Sequence, residues 1–446
     1  MVGIINQVKL HKPDVAVKLP KKDGNGFSTL EDIINTYIPE FQDGKQSWFY
    51  PPLFNGHLQT MWAAAGSFEQ VDQIYYGRRV LNYPDGGSGT ADFVISKKQF
   101  EEEEAGIPPK SQCVQADNGE LVEPVLPPRT RFMNEGELKN QASDDTRPML
   151  VVLHGLSGGS HEAYVRCLLK EVTEEHDFDA VVLNARGCAQ SQLSTPQLFN
   201  GFWTEDLRFL VNHLATWFPE RTLFAVGASL GASILSNYIG QEGDECRFAA
   251  AAVLGNPWDL AASSYLLHRS WIGRYIYSPA MTQSLMNLVD RHDDILRGSD
   301  LYSQNRERYH EGIKLLYDFD NRYTAPLFKF NTAYEYYRVG SSVNRLPAVR
   351  TPLLIINALD DPIVGSEALP FQECKSNPFT LMLTTSLGGH LAWFQSPTKR
   401  WYVRPLASFF QKFYDTIDTK SQPEIDPKAL PHKHQATDGR LRGPFQ

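Results

Sequence analysis

Three residue types, set far apart along a 446-residue chain, could together run nucleophilic chemistry. Ser229 stands in Gly227-Ala228-Ser229-Leu230-Gly231, a Gly-x-Ser-x-Gly pentapeptide. Before it, Leu223 to Val226 is an apolar run of strand type; after it, Ala232 to Tyr238 reads as a helix. Strand, sharp turn and helix is the setting that lifts a serine hydroxyl clear of a sheet and aims a helix N-terminus at it. The flanking glycines are needed because the turn packs backbone against backbone, and a Cβ there would clash. A serine hydroxyl is a weak nucleophile until a base takes its proton. Two later strand ends supply that base and its support. Residues 352–357 run into Ala358-Leu359-Asp360-Asp361-Pro362, and residues 379–384 lead to Ser386-Leu387-Gly388-Gly389-His390. A carboxylate and then an imidazole, both after the serine, can converge on Ser229 for acyl transfer through a covalent intermediate. Of the two aspartates, Asp361 is assigned as the partner of His390, because it sits where the loop turns into Pro362-Ile363-Val364; Asp360 then braces that loop.

The same chemistry needs donors for a developing oxyanion. Residues 149–153 are a continuous apolar strand that ends in His154-Gly155-Leu156-Ser157-Gly158-Gly159-Ser160. Glycines let backbone amides face a pocket, so the Leu156 N–H is one expected oxyanion donor and the Leu230 N–H, just after the nucleophile, is the second. Arg186, after the apolar run 180–183, reads as a structural clamp on loops, and nothing marks Cys188 as a nucleophile. The aromatic-dense segment 46–66 reads as pinned onto the domain, with His57 and Gln59 satisfied by local hydrogen bonds.

The elements that must hold these residues alternate strand and helix. Strands that are apolar throughout, as at 149–153, 180–183, 249–254 and 352–357, belong in a parallel sheet covered on both faces. The expected fold is therefore α/β, a mostly parallel central sheet with helices on both faces. A hairpin is expected over 74–95 around Pro84-Asp85-Gly86-Gly87, with helices at 161–175, 204–217 (Thr204 as N-cap) and 397–416. Residues 96–147, rich in Glu and Pro, read as a poorly ordered insertion. Between about 258 and 350 the alternation gives way to helical, aromatic-rich text, expected as a cap over the site with room for an acyl chain. Residues 1–45 are expected as an N-terminal extension whose lysines make a solvated arm, 46–418 as the main domain, and 419–446 as a disordered tail.

Composition narrows the partners. A net charge of -9 argues against nucleic acid. Five scattered cysteines without a Cys-x-x-Cys fit free thiols in a reducing compartment. No Asn-x-Ser/Thr sequon, secretory signal or bilayer-length apolar run is present. A cytoplasmic protein is expected, with peripheral contact to intracellular membranes or lipid droplets compatible with it. No His-Glu-x-x-His or nucleotide-binding glycine loop occurs, so neither metal nor cofactor is expected.

Taken in order, the motifs resemble the α/β-hydrolase superfamily, and within it the fungal branch of medium-chain fatty acid ethyl ester synthase/esterases and a related monoacylglycerol lipase. The residues that carry the resemblance are Asn55 to Thr60, Asp85-Gly86-Gly87, His154 to Ser160, Asn184 to Cys188, Gly227 to Gly231, Asn256-Pro257-Trp258-Asp259, Asp360 to Gly365 and Gly388-Gly389-His390. The resemblance implies a charge-relay nucleophile of Ser229, Asp361 and His390. It also implies a serine esterase or lipase acting on monoacylglycerols and medium-chain fatty acid esters. The alternative is an alcohol O-acyltransferase making ethyl esters from acyl-CoA and ethanol. A non-catalytic binding protein of the same fold is a third reading.

Overall fold

The computed structural model describes residues 4–115 and 120–431. At its centre is an 11-stranded sheet. In chain order the strands are β1 (Ile4–His11), β2 (Gln46–Phe49), β3 (Tyr75–Asn82), β4 (Ser88–Ile95), β5 (Thr130–Phe132), β6 (Met149–Leu153), β7 (Asp179–Asn184), β8 (Leu223–Ala228), β9 (Phe248–Leu254), β10 (Leu353–Ala358) and β11 (Thr380–Thr385). Across the sheet they lie β2-β1-β11-β10-β9-β8-β6-β7-β4-β3-β5. The run from β11 to β7 is parallel throughout, and β1 and β4 flank it antiparallel.

Successive side chains of a strand point to opposite faces, and here both faces are covered. Leu150 and Val152 join Phe224 and Val226 beneath Leu406, Phe409 and Phe410 of the closing helix Val403–Thr416. Met149, Val151 and Leu153 face the other way, against Leu210 and Leu214 of the helix Glu205–Trp217 and Leu235 of the helix Leu230–Glu242. Each such side chain contributes about 1.5–3 kcal/mol by leaving water. The fold is α/β, with a mostly parallel sheet and helices on both sides.

Four expected segments differ. Residues 4–11, read as part of a solvated arm, form a sheet strand: Asn6 and Val8 are buried, and β1 pairs with β11 from Val8↔Thr385 to His11↔Met382. The polar residues between the apolar ones hid a half-buried strand. Lys9, Lys12 and Lys18 of the N-terminal segment stay exposed, each within ion-pair distance of an acid: Asp43, Glu31 and Glu424 respectively. Within 96–147, expected as poorly ordered, β5 runs beside β3, and Arg131 donates to both oxygens of Glu137. Residues 116–119 of that stretch and 432–446 of the expected tail lie outside the described residues. The Glu424 backbone pairs with Lys18, so the start of that tail is held against the N-terminal segment. The closing helix begins at Val403, six residues later than expected.

Between β9 and β10 the chain is helical, with helices Leu260–Arg269, Ser278–Arg291, Asp300–Tyr309 and Ala333–Gly340 and π turns at Gly273–Tyr277 and Asp320–Thr324. Its core joins Leu285, Met286, Val289, Phe319 and Tyr323 to Cys188, Leu193 and Trp203 from the loops after β7. Among the described residues no helix is long and apolar enough to cross a membrane.

Candidate active site

β8 ends at Ala228, and the helix begins at Leu230, so the chain must reverse within Ser229 alone. Ser229 takes φ 53 and ψ -118, a conformation outside the favoured regions for an L-residue and costing roughly 1–3 kcal/mol. The neighbours leave no room for any other residue than glycine. A Cβ on Gly227 would lie 2.6 Å from Ala232 Cα, and one on Gly231 would lie 2.4 Å from the His154 carbonyl oxygen. The Ser229 amide donates to Leu254 O at 2.9 Å, which ties the turn to the end of β9.

His390 reaches this hydroxyl from the loop after β11. Its Nε2 lies 2.8 Å from Ser229 Oγ, and its Nδ1 lies 2.8 Å from Asp361 Oδ2. A carboxylate oxygen only accepts, so Nδ1 carries the proton and donates; Nε2 is then left to accept from the serine hydroxyl. Asp361, after β10, is 4 % exposed. Its second oxygen accepts from the amides of Ile363 at 2.8 Å and Val364 at 3.1 Å, so the carboxylate cannot swing away. Asp360 braces the neighbouring loop through Oδ1, which accepts from Gly389 N at 2.9 Å. Its other oxygen is buried without a partner among the described residues, and burial pushes its carboxyl up to about 6.

The loop after β6 closes over the elbow. A Cβ on Gly155 would stand 3.1 Å from the Tyr164 hydroxyl and 3.3 Å from Ser229 Cβ, a tight fit against the nucleophile. The Gly155 amide donates to the Tyr164 hydroxyl at 2.8 Å. His154, neutral because burial lowers it to about 4, donates from Nδ1 to Gly155 O and accepts at Nε2 from Ala185 N. Leu156 and Leu230 line the same cavity as Ser229. Among the described residues, neither amide N–H meets an acceptor. That cavity, about 120 Å³, is lined by Leu267, Met281, Leu285, Leu316 and Ile363 and also by Asp320 and Tyr337.

Several supports had no local signal in the sequence. Asp92, wholly buried on β4, accepts from Arg78 Nε and Nη2 at 2.7 and 2.8 Å, from Ser160 Oγ at 2.6 Å and from Asn184 Nδ2 at 2.8 Å. It thereby locks the loops that follow β6 and β7. Thr60 Oγ1 accepts from His390 N at 2.9 Å, which explains the pinned segment around it. His57 Nδ1 lies 3.0 Å from Tyr277 OH, a long-range partner rather than a local one, whereas Gln59 Nε2 donates locally to Leu53 O at 2.9 Å as expected and its Oε1 also accepts from the distant Phe394 N. Thr204 does not cap its helix by a side-chain bond; its hydroxyl donates to Gln241 instead. Arg186 does clamp loops, donating to Asp206 and Asp85 at 2.7 to 2.9 Å. Cys188 is buried, and its thiol is pushed up to about 12.

The pattern of the family described as Serine aminopeptidase, S33 matches residues 144–383. A protein of Saccharomyces cerevisiae named monoacylglycerol lipase is 40% identical over 92% of this chain and 90% of its own length. Another from the same yeast, named medium-chain fatty acid ethyl ester synthase/esterase 2, is 34% identical over 90% of this chain and 93% of its own. Among solved structures, a Pyrococcus furiosus esterase overlays with a TM-score of 0.44 at 12% identity, over 78% of this chain and 96% of that one, which adds nothing to the assignment. From the matched pattern and the two yeast relatives, the chain belongs to the Serine aminopeptidase, S33 family of α/β-hydrolases and is a serine hydrolase.

Proposed function

We propose that this chain hydrolyses carboxylic esters of fatty acids, monoacylglycerols and medium-chain esters among them, through an acyl-enzyme on Ser229. The observation that carries this is the unbroken hydrogen-bonded chain from Ser229 through His390 to Asp361, opening on an aliphatic cavity. His390 takes the Ser229 proton while Oγ bonds to the ester carbonyl carbon. The backbone amides of Leu156 and Leu230 hold the resulting oxyanion, each worth about 10²–10³ in rate. The C–O bond to the alcohol then breaks, and the alcohol leaves with the proton from His390. Water, deprotonated by the same imidazole, releases the acid. The aliphatic part of the wall, Leu267, Met281, Leu285, Leu316 and Ile363, suits an acyl chain. The insertion over 258–350 acts as the cap that keeps bulk water from the acyl-enzyme.

An alcohol in place of water would make an ester instead, and the name of the second yeast relative favours keeping that reaction as a second reading. Peripheral contact with a lipid surface fits the same reading. Tyr265, Trp271 and Tyr275 are 59%, 69% and 59% exposed on the insertion, beside the exposed Arg269 and Arg274. Aromatic rings with cations among them suit the headgroup region of a lipid layer.

The test is Ser229→Ala. It removes ester turnover and labelling by a fluorophosphonate while the thermal transition stays in place; turnover persisting in the folded variant would overturn the reading. Incubation with acyl-CoA, ethanol and water, with free acid and ethyl ester both measured, separates hydrolysis from transfer.

A further inference from the structure

The aliphatic cavity has one feature that an acyl chain does not explain. Asp320 lines it, and among the described residues of that lining it is the only carboxylate. Its side chain is 8% exposed, so it is a charge-bearing group placed almost wholly out of water. No Lys or Arg pairs with it among the described residues. Two hydroxyls hold it instead: Thr324 donates to Oδ1 at 2.7 Å, and Tyr337 donates to Oδ2 at 2.6 Å. It opens the π turn Asp320–Thr324, and a π turn interrupts regular helix geometry at a cost that recurs at functional sites.

Two carboxylate oxygens offer about four acceptor sites in all. One on each oxygen is used by the protein, so about two remain. Burial lifts the carboxyl to about 6 while the two hydroxyls hold it down, so near neutral pH most of it carries charge and seeks donors. The cavity lining also includes Ser263, Ser264 and Tyr336 beside Thr324 and Tyr337, all hydroxyl-bearing. An acyl chain has no donor to give. The free vicinal diol of a glycerol ester has two.

We propose that Asp320 is the acceptor for free hydroxyls on the alcohol portion of the substrate, so that this site prefers esters of polyols to esters of simple alcohols. The inference rests on the ester-hydrolase reading of Ser229. A site built around a substrate hydroxyl rejects the analogue that lacks it, because the protein acceptor is then left buried and unpaired. Asp320 is thus a specificity-determining residue, and Thr324 and Tyr337 are positioning residues that fix its plane.

The experiment uses one acyl group on three alcohols: glycerol, 1,2-propanediol and ethanol. Wild-type kcat/KM falls stepwise along that series, by about tenfold for each hydroxyl removed. In Asp320→Asn the series flattens, the glyceryl ester losing at least tenfold more than the ethyl ester. In Tyr337→Phe the preference for the glyceryl ester weakens but is not abolished, because Asp320 loses one of the two hydroxyls that fix its plane and hold its carboxyl down. Substrate and protein changes thereby form a thermodynamic cycle that a merely structural role does not move, since loss of folding lowers all three esters alike. Equal losses on the three esters in Asp320→Asn would overturn the proposal, as would a wild-type enzyme indifferent to the alcohol. Faster wild-type turnover of a 2-aminoethyl ester than of the glyceryl ester would overturn it in favour of a cation site. A wild-type protein that cleaves none of the esters would instead bring down the ester-hydrolase reading itself.

Discussion

The loops at the strand ends and the helical insertion above them are held by different forces. Around Ser229 nearly every functional group is fixed by directional bonds. Asp361 accepts from Ile363, Val364 and His390, and Asp92 gathers Arg78, Ser160 and Asn184 in the interior of the sheet edge. The insertion is held mainly by apolar packing of Leu285, Met286, Val289, Phe319 and Tyr323. It meets the rest of the domain through single bonds such as Tyr336 OH accepting from Gly201 N and Asn237 Nδ2, on the helix after Ser229, donating to Gly340 O. Proton transfer tolerates errors of only tenths of an ångström, so its groups need bonds with direction. Apolar packing constrains volume and only loosely constrains angle. The difference teaches that one region supplies a fixed reaction and the other supplies a replaceable fit.

The largest break in this contrast is Asp361→Asn. The amide presents an N–H toward His390 Nδ1, the imidazole turns to the wrong tautomer, and kcat falls about 10³–10⁴-fold while the melting temperature stays close to wild type. Loss of folding in step with activity would sink it. Next comes Asp92→Ala, which strands the buried Arg78 guanidinium and lowers unfolding free energy by about 3–5 kcal/mol in a urea titration. Its counterpart in the insertion, Asp290→Ala, removes a half-exposed partner of Arg306 and costs at most about 1 kcal/mol. Equal costs at the two sites would erase the comparison. Smaller again is the pair Trp271→Ala and Tyr275→Ala, which lowers the ratio of turnover on emulsified to dissolved ester about fivefold. An unchanged ratio would show that these rings do not meet lipid.

The smallest effect is a pH slope. The Asp360 carboxyl is raised from 3.8 to about 6 by burial, so the fold prefers its protonated form. That contribution is fully present below the unfolded value and is lost as pH rises through about 6. The melting temperature of wild type therefore drops more between about pH 4 and about pH 7 than that of Asp360→Asn. Asp320, raised to about 6 as well, leaves a residual slope in the variant. Parallel curves for the two proteins would rule out this role for Asp360.

Much of the site was legible because its residues sit at the ends of elements with strong local signals. A run such as Leu150 to Leu153 has one stable fate, and a glycine-flanked serine between such a run and a helix has few others. Its place in the turn favours Asp361 over Asp360; in the structure Asp361 meets His390 Nδ1 while Asp360 accepts from Gly389 N. Less was legible where the signal is not local. Asp92 is one polar residue inside a strand, and only Arg78 on the neighbouring strand and Ser160 from another loop reveal what it does. β1 alternates apolar and polar residues too weakly to be separated from a solvated arm until β11 is beside it.

Read alone, then, the chain of residues settles the strand–helix order, the turn that exposes Ser229 and the types of the groups that follow it. These depend on steric limits and hydrophobic periodicity within a dozen residues. Only folding settles that Ser229 Oγ, His390 and Asp361 stand 2.8 Å apart in sequence-distant loops, and that Asp320 faces the cavity in which Ser229 lies. Those placements depend on sheet order and on packing across the molecule, where the free energy of each contact belongs to pairs of residues and not to either one.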